Sequence, residues 1–165
     1  MSGESEAKDL PHSTPSPFVG FRGQVVPDWI DANGHMNVSW YDHVFDRAES
    51  ALFDAFGVDE KYIRRAFCGM FRLEKRVRYE KELVEGDDLR IDSRIVSSDG
   101  RLLKHFHELW NLTREVRAAS AHYVSIHVDL TRRKPAQISD PLVLVPLQRL
   151  AYEHTQLRPL AERDR

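Results

Sequence analysis

Cysteine is nearly absent from this chain. Cys68 stands alone among 165 residues, which excludes an internal disulfide and points to a reducing, cytoplasmic setting. No apolar run approaches the ~20 residues needed to cross a bilayer, and the acidic, polar N-terminus is unlike a signal peptide. Positive charge is not in excess either. The net charge is -2, so there is no basic field for nucleic acid, and no stripe of aromatics interleaved with Lys and Arg. Internal repeats and domain boundaries are missing too. What remains is an ordinary globular composition, 41% hydrophobic and 30% charged, too apolar for general disorder and long enough for one domain with a real core.

The most informative stretch is residues 28–41, Asp-Trp-Ile-Asp-Ala-Asn-Gly-His-Met-Asn-Val-Ser-Trp-Tyr. Asp31, Asn33, His35 and Asn37 fall at every second position, with Gly34 among them to allow a sharp turn. A carboxylate, two amides and an imidazole therefore crowd one point, between a short apolar strand at 18–26 and a strongly amphipathic helix. Helix N-termini offer unpaired N–H groups and a positive dipole end, which suit a developing oxyanion. The segment reads as an active-site loop.

Residues 1–17 carry three prolines and almost no large apolar side chain, so this stretch reads as a disordered N-terminal tail. After the loop, Trp40, Tyr41, Val44, Phe45, Ala48, Leu52, Phe53 and Phe56 recur at helical spacing,. Asp42, Asp46, Arg47, Glu49 and Asp54 fill the opposite face, and Gly57 is a good stop,. Val58–Arg65 reads as a short helix or lid. Four long strands follow at 67–83, 88–96, 101–112 and 117–130, separated by turn signals at 85–87, 98–100 and 113–115,. Further turns are expected at Lys134-Pro135 and Asp140-Pro141, then a short helix near 144–154 and a frayed end. The reading divides the chain into the tail, a domain at 18–135 and a C-terminal extension at 136–165. Short connections force the strands to pair antiparallel, and a sheet of that length buries one face by wrapping the single long helix. The expected class is therefore α+β, the hotdog architecture. Its free edge favours a homodimer, with a dimer of dimers left open.

At the loop the sequence resembles the 4-hydroxybenzoyl-CoA thioesterase-like branch of the hotdog superfamily, where an Asp-x-x-Gly loop precedes the central helix; Asp31-Ala32-Asn33-Gly34 stands in that place. Asp31, Asn33, His35 and Asn37 also resemble the Asp-x-Asn-x-His-x-Asn signature of acyl-carrier-protein thioesterases. Residues 79–87, 99–109 and 126–130 are similar to thioesterases associated with bacterial carnitine catabolism, although His122 stands where that subfamily tends to carry an acidic residue. The resemblance covers about residues 18–135. It implies hydrolysis of a small acyl-CoA, betainyl-CoA or a related short-chain thioester, with coenzyme A as part of the substrate and no separate cofactor.

Thioester hydrolysis needs an attacking water or carboxylate and a donor for the tetrahedral oxyanion. Asp31 suits the first role as general base or nucleophile, and the backbone N–H near Val38, at the start of the helix, suits the second. Asn33 and His35 would orient the water or thioester, and by resemblance Glu82 would be a second acid. Asn37 equally suits a helix cap. Trp40 and Tyr41, with Trp29 and Trp110, would supply an aromatic cage for a quaternary ammonium or would simply be core. Arg132 and Arg133 would meet coenzyme A phosphates or remain a solvated strand end. His105-x-His107 shares one strand face, but Glu108 falls on the other, so ordinary strand histidines are favoured over a metal site. Cys68 reads as an inert thiol. The alternatives are a non-hydrolytic acyl-CoA-binding hotdog protein, a dehydratase and a metal-binding β-barrel.

Overall fold

The computed structural model describes residues 15–164; the expected tail at 1–17 lies outside the described residues for its first fourteen positions. Strand β1 (Phe18–Gln24) runs into a single 3-10 turn at Pro27–Trp29 and then the motif loop. Helix α1 (Val38–Ala55) follows, capped by Asn37 and ended just before Gly57. Its buried residues Tyr41, Val44, Phe45, Ala48, Glu49 and Leu52 form one continuous stripe. All but one are apolar. The short helix expected after Val58 is α2 (Glu60–Ala66), capped by Asp59. Strands β2 (Cys68–Tyr79), β3 (Asp88–Ser98), β4 (Leu102–Asn111) and β5 (Val116–Asp129) match the four runs read from sequence, with β2 ending four residues earlier than expected.

The sheet order is β1-β3-β4-β5-β2, with a two-residue β6 (Lys134–Pro135) beside β5. Every neighbouring pair is antiparallel. The sheet wraps α1, so Phe45 and Ala48 are buried with Leu89, Ile91, Leu109, Ala119, Ala121 and Tyr123 in one cluster. Burying Phe45 alone contributes about 2–3 kcal/mol. Strand β1 lies tight against the helix because residue 20 is glycine; an added Cβ there would sit 2.9 Å from the Ala48 carbonyl oxygen. A curled antiparallel sheet around one long helix is the expected hotdog fold.

The C-terminal part departs from expectation. Asp140-Pro141 is not a free turn but the start of α3 (Pro141–Thr155), with Asp140 as N-cap and Pro141 in the first turn. Proline fits there because the N–H it lacks has no intrahelical partner anyway. Val143 and Leu147 pack with Leu52, Phe56, Ile95 and Leu103 in a second cluster, and the Ile95 N–H donates to His154 Nδ1 at 2.8 Å. The end of the chain is also anchored rather than frayed: Glu162–Asp164 forms a 3-10 turn with Asp164 only 3% exposed. No helix among the described residues is long and apolar enough to cross a membrane.

Candidate active site

The motif loop closes on itself through its backbone. Gly34 N–H donates to the Asp31 carbonyl (2.9 Å), Asp31 N–H to the His35 carbonyl (3.1 Å), and Asn37 N–H to the Trp29 carbonyl (2.8 Å). Gly34 takes φ +80 to make the reversal, a conformation that costs other L-residues strain. The loop is tied to the segment after β2 by Met36 N–H donating to the Leu83 carbonyl at 2.7 Å.

These bonds fix the half-buried Asp31 carboxylate. Oδ1 accepts the Asn33 N–H (2.8 Å) and Oδ2 accepts Asn37 Nδ2–H (3.1 Å). The Asn33 N–H lowers its pKa most; burial works against this, and the Asn37 amide and nearby His35 reinforce the lowering. The group is thus ionised at neutral pH and keeps free lone pairs. Asn37 does two jobs, because its Oδ1 also accepts Ser39 N–H at 3.0 Å to cap α1. The Val38 N–H is at the first helical position, where no intrahelical acceptor exists,.

Asp31, His35, Asn37 and Val38 line one side of a cleft of about 410 Å³, with Met36 and Tyr41. Tyr79, Glu80, Lys81 and Glu82 line it from the end of β2 and the segment beyond. Tyr41 and Tyr79 meet edge to face with centroids 5.1 Å apart. Burial pushes the Tyr41 phenol up to about 12, so it stays a neutral donor. The structure therefore brings together Asp31, His35, Val38, Tyr41 and Glu82. Asn33 takes part through its backbone N–H on Asp31 and is exposed. Tyr79, Glu80 and Lys81 have no assigned role in the sequence reading; adjacency to Glu82 and the resemblance over residues 79–87 are the signals that point to them.

Three expectations are corrected. Trp40 does not face the cleft: it stacks on Trp29 (centroids 5.2 Å) with His43 against its edge. Trp110 belongs to a different groove, lined by Arg94 and Arg117. The four-aromatic cage is therefore not assembled, because Trp40 and Tyr41 are neighbours on a helix and point about 100° apart. Arg132 and Arg133 lie beyond the far end of the β2–β5 ladder, where Cys68 faces Asp129, while the cleft lies at the Tyr79–Ala119 end. Arg132 Nε instead donates to Asp129 Oδ2 at 2.7 Å.

The paired histidines of β4 belong to the core. Ser93 Oγ, His107, His105, Ser125 and Glu49 form a chain of contacts at 2.7, 2.7, 3.0 and 3.0 Å, closed by an Arg72–Glu49 ion pair. Glu49, read from sequence as part of the solvated helix face, is 5% exposed. Burial raises its pKa, but bonds from His105 and Arg72 outweigh this and the net direction is down. Burial also lowers the pKa of both histidines, and that of His107 well below its ordinary value. An ionised carboxylate only accepts, so the chain has one consistent polarity: each neutral imidazole donates from Nε2 toward Glu49 and accepts at Nδ1. No group of three or more His, Cys, Asp or Glu among the described residues is placed to hold a metal.

Known proteins place the fold and loop in context. The thioesterase-like superfamily matches residues 25–144. A betainyl-CoA thioesterase of Pseudomonas aeruginosa is 27% identical over 81% of this chain and 83% of its own length. An L-carnitine dehydrogenase/betainyl-CoA thioesterase of Rhizobium sp is 29% identical over 82% of this chain, which spans only 27% of that relative. Among solved structures, a Staphylococcus aureus protein in complex with CoA superposes with TM-score 0.81 at 18% identity, over 89% of this chain and 92% of the other. A DHNA-CoA thioesterase from the same species gives 0.74 at 11% identity, over 85% and 95%. A match across most of the folded chain, on a sheet and helix with the hotdog arrangement, shows that this chain belongs to the thioesterase-like superfamily.

Proposed function

We propose that this chain is an acyl-CoA thioesterase that hydrolyses a small acyl-CoA to the free acid and CoA, with Asp31 as general base or nucleophile. Thioester hydrolysis is the activity that the family and the names of its relatives support. One observation carries the residue assignment: an ionised carboxylate with free lone pairs shares a cleft with the Val38 N–H at the positive end of α1. With the thioester carbonyl oxygen on that N–H, Asp31 is placed to take a proton from an attacking water or to attack the carbonyl carbon itself. The helix end stabilises the oxyanion, and one such donor is typically worth about 10²–10³ in rate. His35 and the Asn33–Gly34 turn orient the reactants, and Glu82 faces Asp31 from the opposite wall.

The acyl group we favour is betainyl or a related short-chain group. The cleft is small, walled by Tyr41 and Tyr79 and flanked by Asp31 and Glu82, and aromatic faces with carboxylates attract a quaternary ammonium. Coenzyme A enters as part of the substrate, with no separate cofactor, and the lone Cys68 favours a cytoplasmic setting,. Among the described residues β2 is the last strand of the sheet order, and its Phe71 and Leu73 are exposed, which favours a homodimer joined there.

The test is thiol release from short-chain, aromatic, long-chain and betainyl thioesters, followed with a thiol-reactive dye. Release is expected, fastest with the betainyl substrate. Saturable binding without release would overturn hydrolysis in favour of an acyl-CoA-binding protein.

A further inference from the structure

The last turn of the chain ends on a guanidinium that also holds the cleft. Arg117 of β5 has a side chain only 7% exposed, and its five N–H donors are all engaged. Nε and Nη2 donate to the two oxygens of Glu80 at 3.3 and 2.6 Å. Nη1 and Nη2 donate to the two oxygens of Asp164 at 2.7 and 3.0 Å, and Nη1 also reaches Glu108 at 2.8 Å. Arg163 and Arg94 approach the same carboxylates at 3.7 and 3.8 Å, so three cations face three anions. Charge-assisted, bidentate bonds of this kind are strong and geometrically exacting.

Glu80 belongs to both places. Its carboxylate is in this cluster, and the residue also lines the Asp31 cleft between Tyr79 and Glu82. The Glu80 and Lys81 N–H groups both donate to the carbonyl of Ala118, the neighbour of Arg117 (2.8 and 3.0 Å). The wall of the cleft is thus fastened by backbone to β5 and by side chain to the C-terminal turn. The superfamily match stops at residue 144, well before Asp164.

We infer that Asp164, acting through Arg117, is a positioning residue for the cleft: it keeps the Glu80 carboxylate turned away from Asp31 and sets how close Tyr79 and Glu82 stand to it. The inference rests on the hydrolase reading above. Without Asp164, Arg117 loses two of its five bonds and its guanidinium is no longer fixed from the far side, so its hold on Glu80 loosens and the carboxylate can turn toward the cleft. A further negative charge then joins the groups around Asp31, namely His35 on its own loop, Tyr41 of α1, Tyr79 of β2, and Lys81 and Glu82 beyond it. Proton loss from Asp31 becomes harder.

The experiment compares full-length wild type with Asp164→Asn, a chain shortened by residues 162–165, Glu80→Gln, and Glu80→Gln/Asp164→Asn. Readouts are kcat and KM by thiol release across pH, and circular dichroism at the assay temperature. Asp164→Asn and the shortened chain should stay folded and lose about 10-fold in kcat/KM, in the range expected for a misplaced catalytic wall. The acid limb of their pH profile should move to higher pH. The double variant should recover the wild-type limb, because the freed carboxylate is gone. An unmoved pH profile, or a loss matched by the unfolded fraction, would overturn the inference. Failure of the parent reading looks different: Asp31→Asn would then hydrolyse as well as wild type, whatever Asp164 does.

Discussion

Asp31 and Glu49 are both carboxylates near α1, one in the loop ahead of its first turn and the other three turns along it. Both are pushed toward the ionised form. They differ in what surrounds them. Glu49 is 5% exposed and is met by Arg72, His105 and Ser125. Asp31 is met only by two amides of its own loop and otherwise faces a cleft. A richer collection of titratable groups is therefore the poorer candidate for chemistry, because access, and not the number of acids and histidines, separates a site from a packed polar core.

That contrast can be broken in several ways. The largest effect should come from Glu49→Ala. It leaves Arg72 and His105 without their anion and should cost about 3–5 kcal/mol in denaturant unfolding, with turnover per folded molecule unchanged. A stable Glu49→Ala enzyme with lost turnover would reverse the assignment of the two clusters. Asp31→Asn should do the opposite: at least ~10²-fold less thiol release, with an unchanged melting curve. Hydrolysis near the wild-type rate would remove Asp31 from the chemistry.

Acidification sharpens the comparison next. His105 and His107 have folded pKa values below their unfolded ones, so between the two values the unfolded chain binds more protons than the native one. Their contribution is complete above pH ~6.5 and is lost as pH falls below it, at up to about 1.4 kcal/mol per histidine per pH unit. His154, lowered to about 4 by burial, acts in the same direction. Melting temperature should therefore drop between pH 7.5 and 5, and replacing His107 by an apolar residue should flatten that slope. A slope equal to wild type would show that the network is already protonated. The smallest effect is expected from Asn37→Ala, about 1 kcal/mol from the lost cap, together with a measurable fall in kcat because Asp31 loses its Nδ2–H partner.

How much of this was legible depended on how local the cause is. The period of α1 and the turn at Ser98-Asp99-Gly100 come from neighbouring residues, and the structure follows them. The spacing of Asp31, Asn33, His35 and Asn37 likewise marks its own loop. Asp140-Pro141 misleads because the same pair begins a turn or a helix, and only the apolar face after Pro141 decides between them. Glu49 carries no local mark of burial; its partners come from β2, β4 and β5. Asp164 is 47 residues from Arg117, so the short polar end of the chain reads as frayed until the fold brings the two together. Arg132 and Arg133 fail for a related reason, since which end of a ladder faces a cleft is set by register across strands.

Asn37 is under two evolutionary constraints at once. Its amide is used in both senses at once, Oδ1 receiving from Ser39 and Nδ2 giving to Asp31. Aspartate caps helices equally well but would set a second anion 3 Å from the reactive one; serine caps but is too short to span both partners. Selection for a stable helix and selection for an oriented carboxylate therefore act on a single codon, and neither can be improved there at the expense of the other. Among descendants of this chain, position 37 should drift more slowly than its exposed neighbours Val38 and Ser39, and a lineage that abandons asparagine there should have abandoned Asp31 as well.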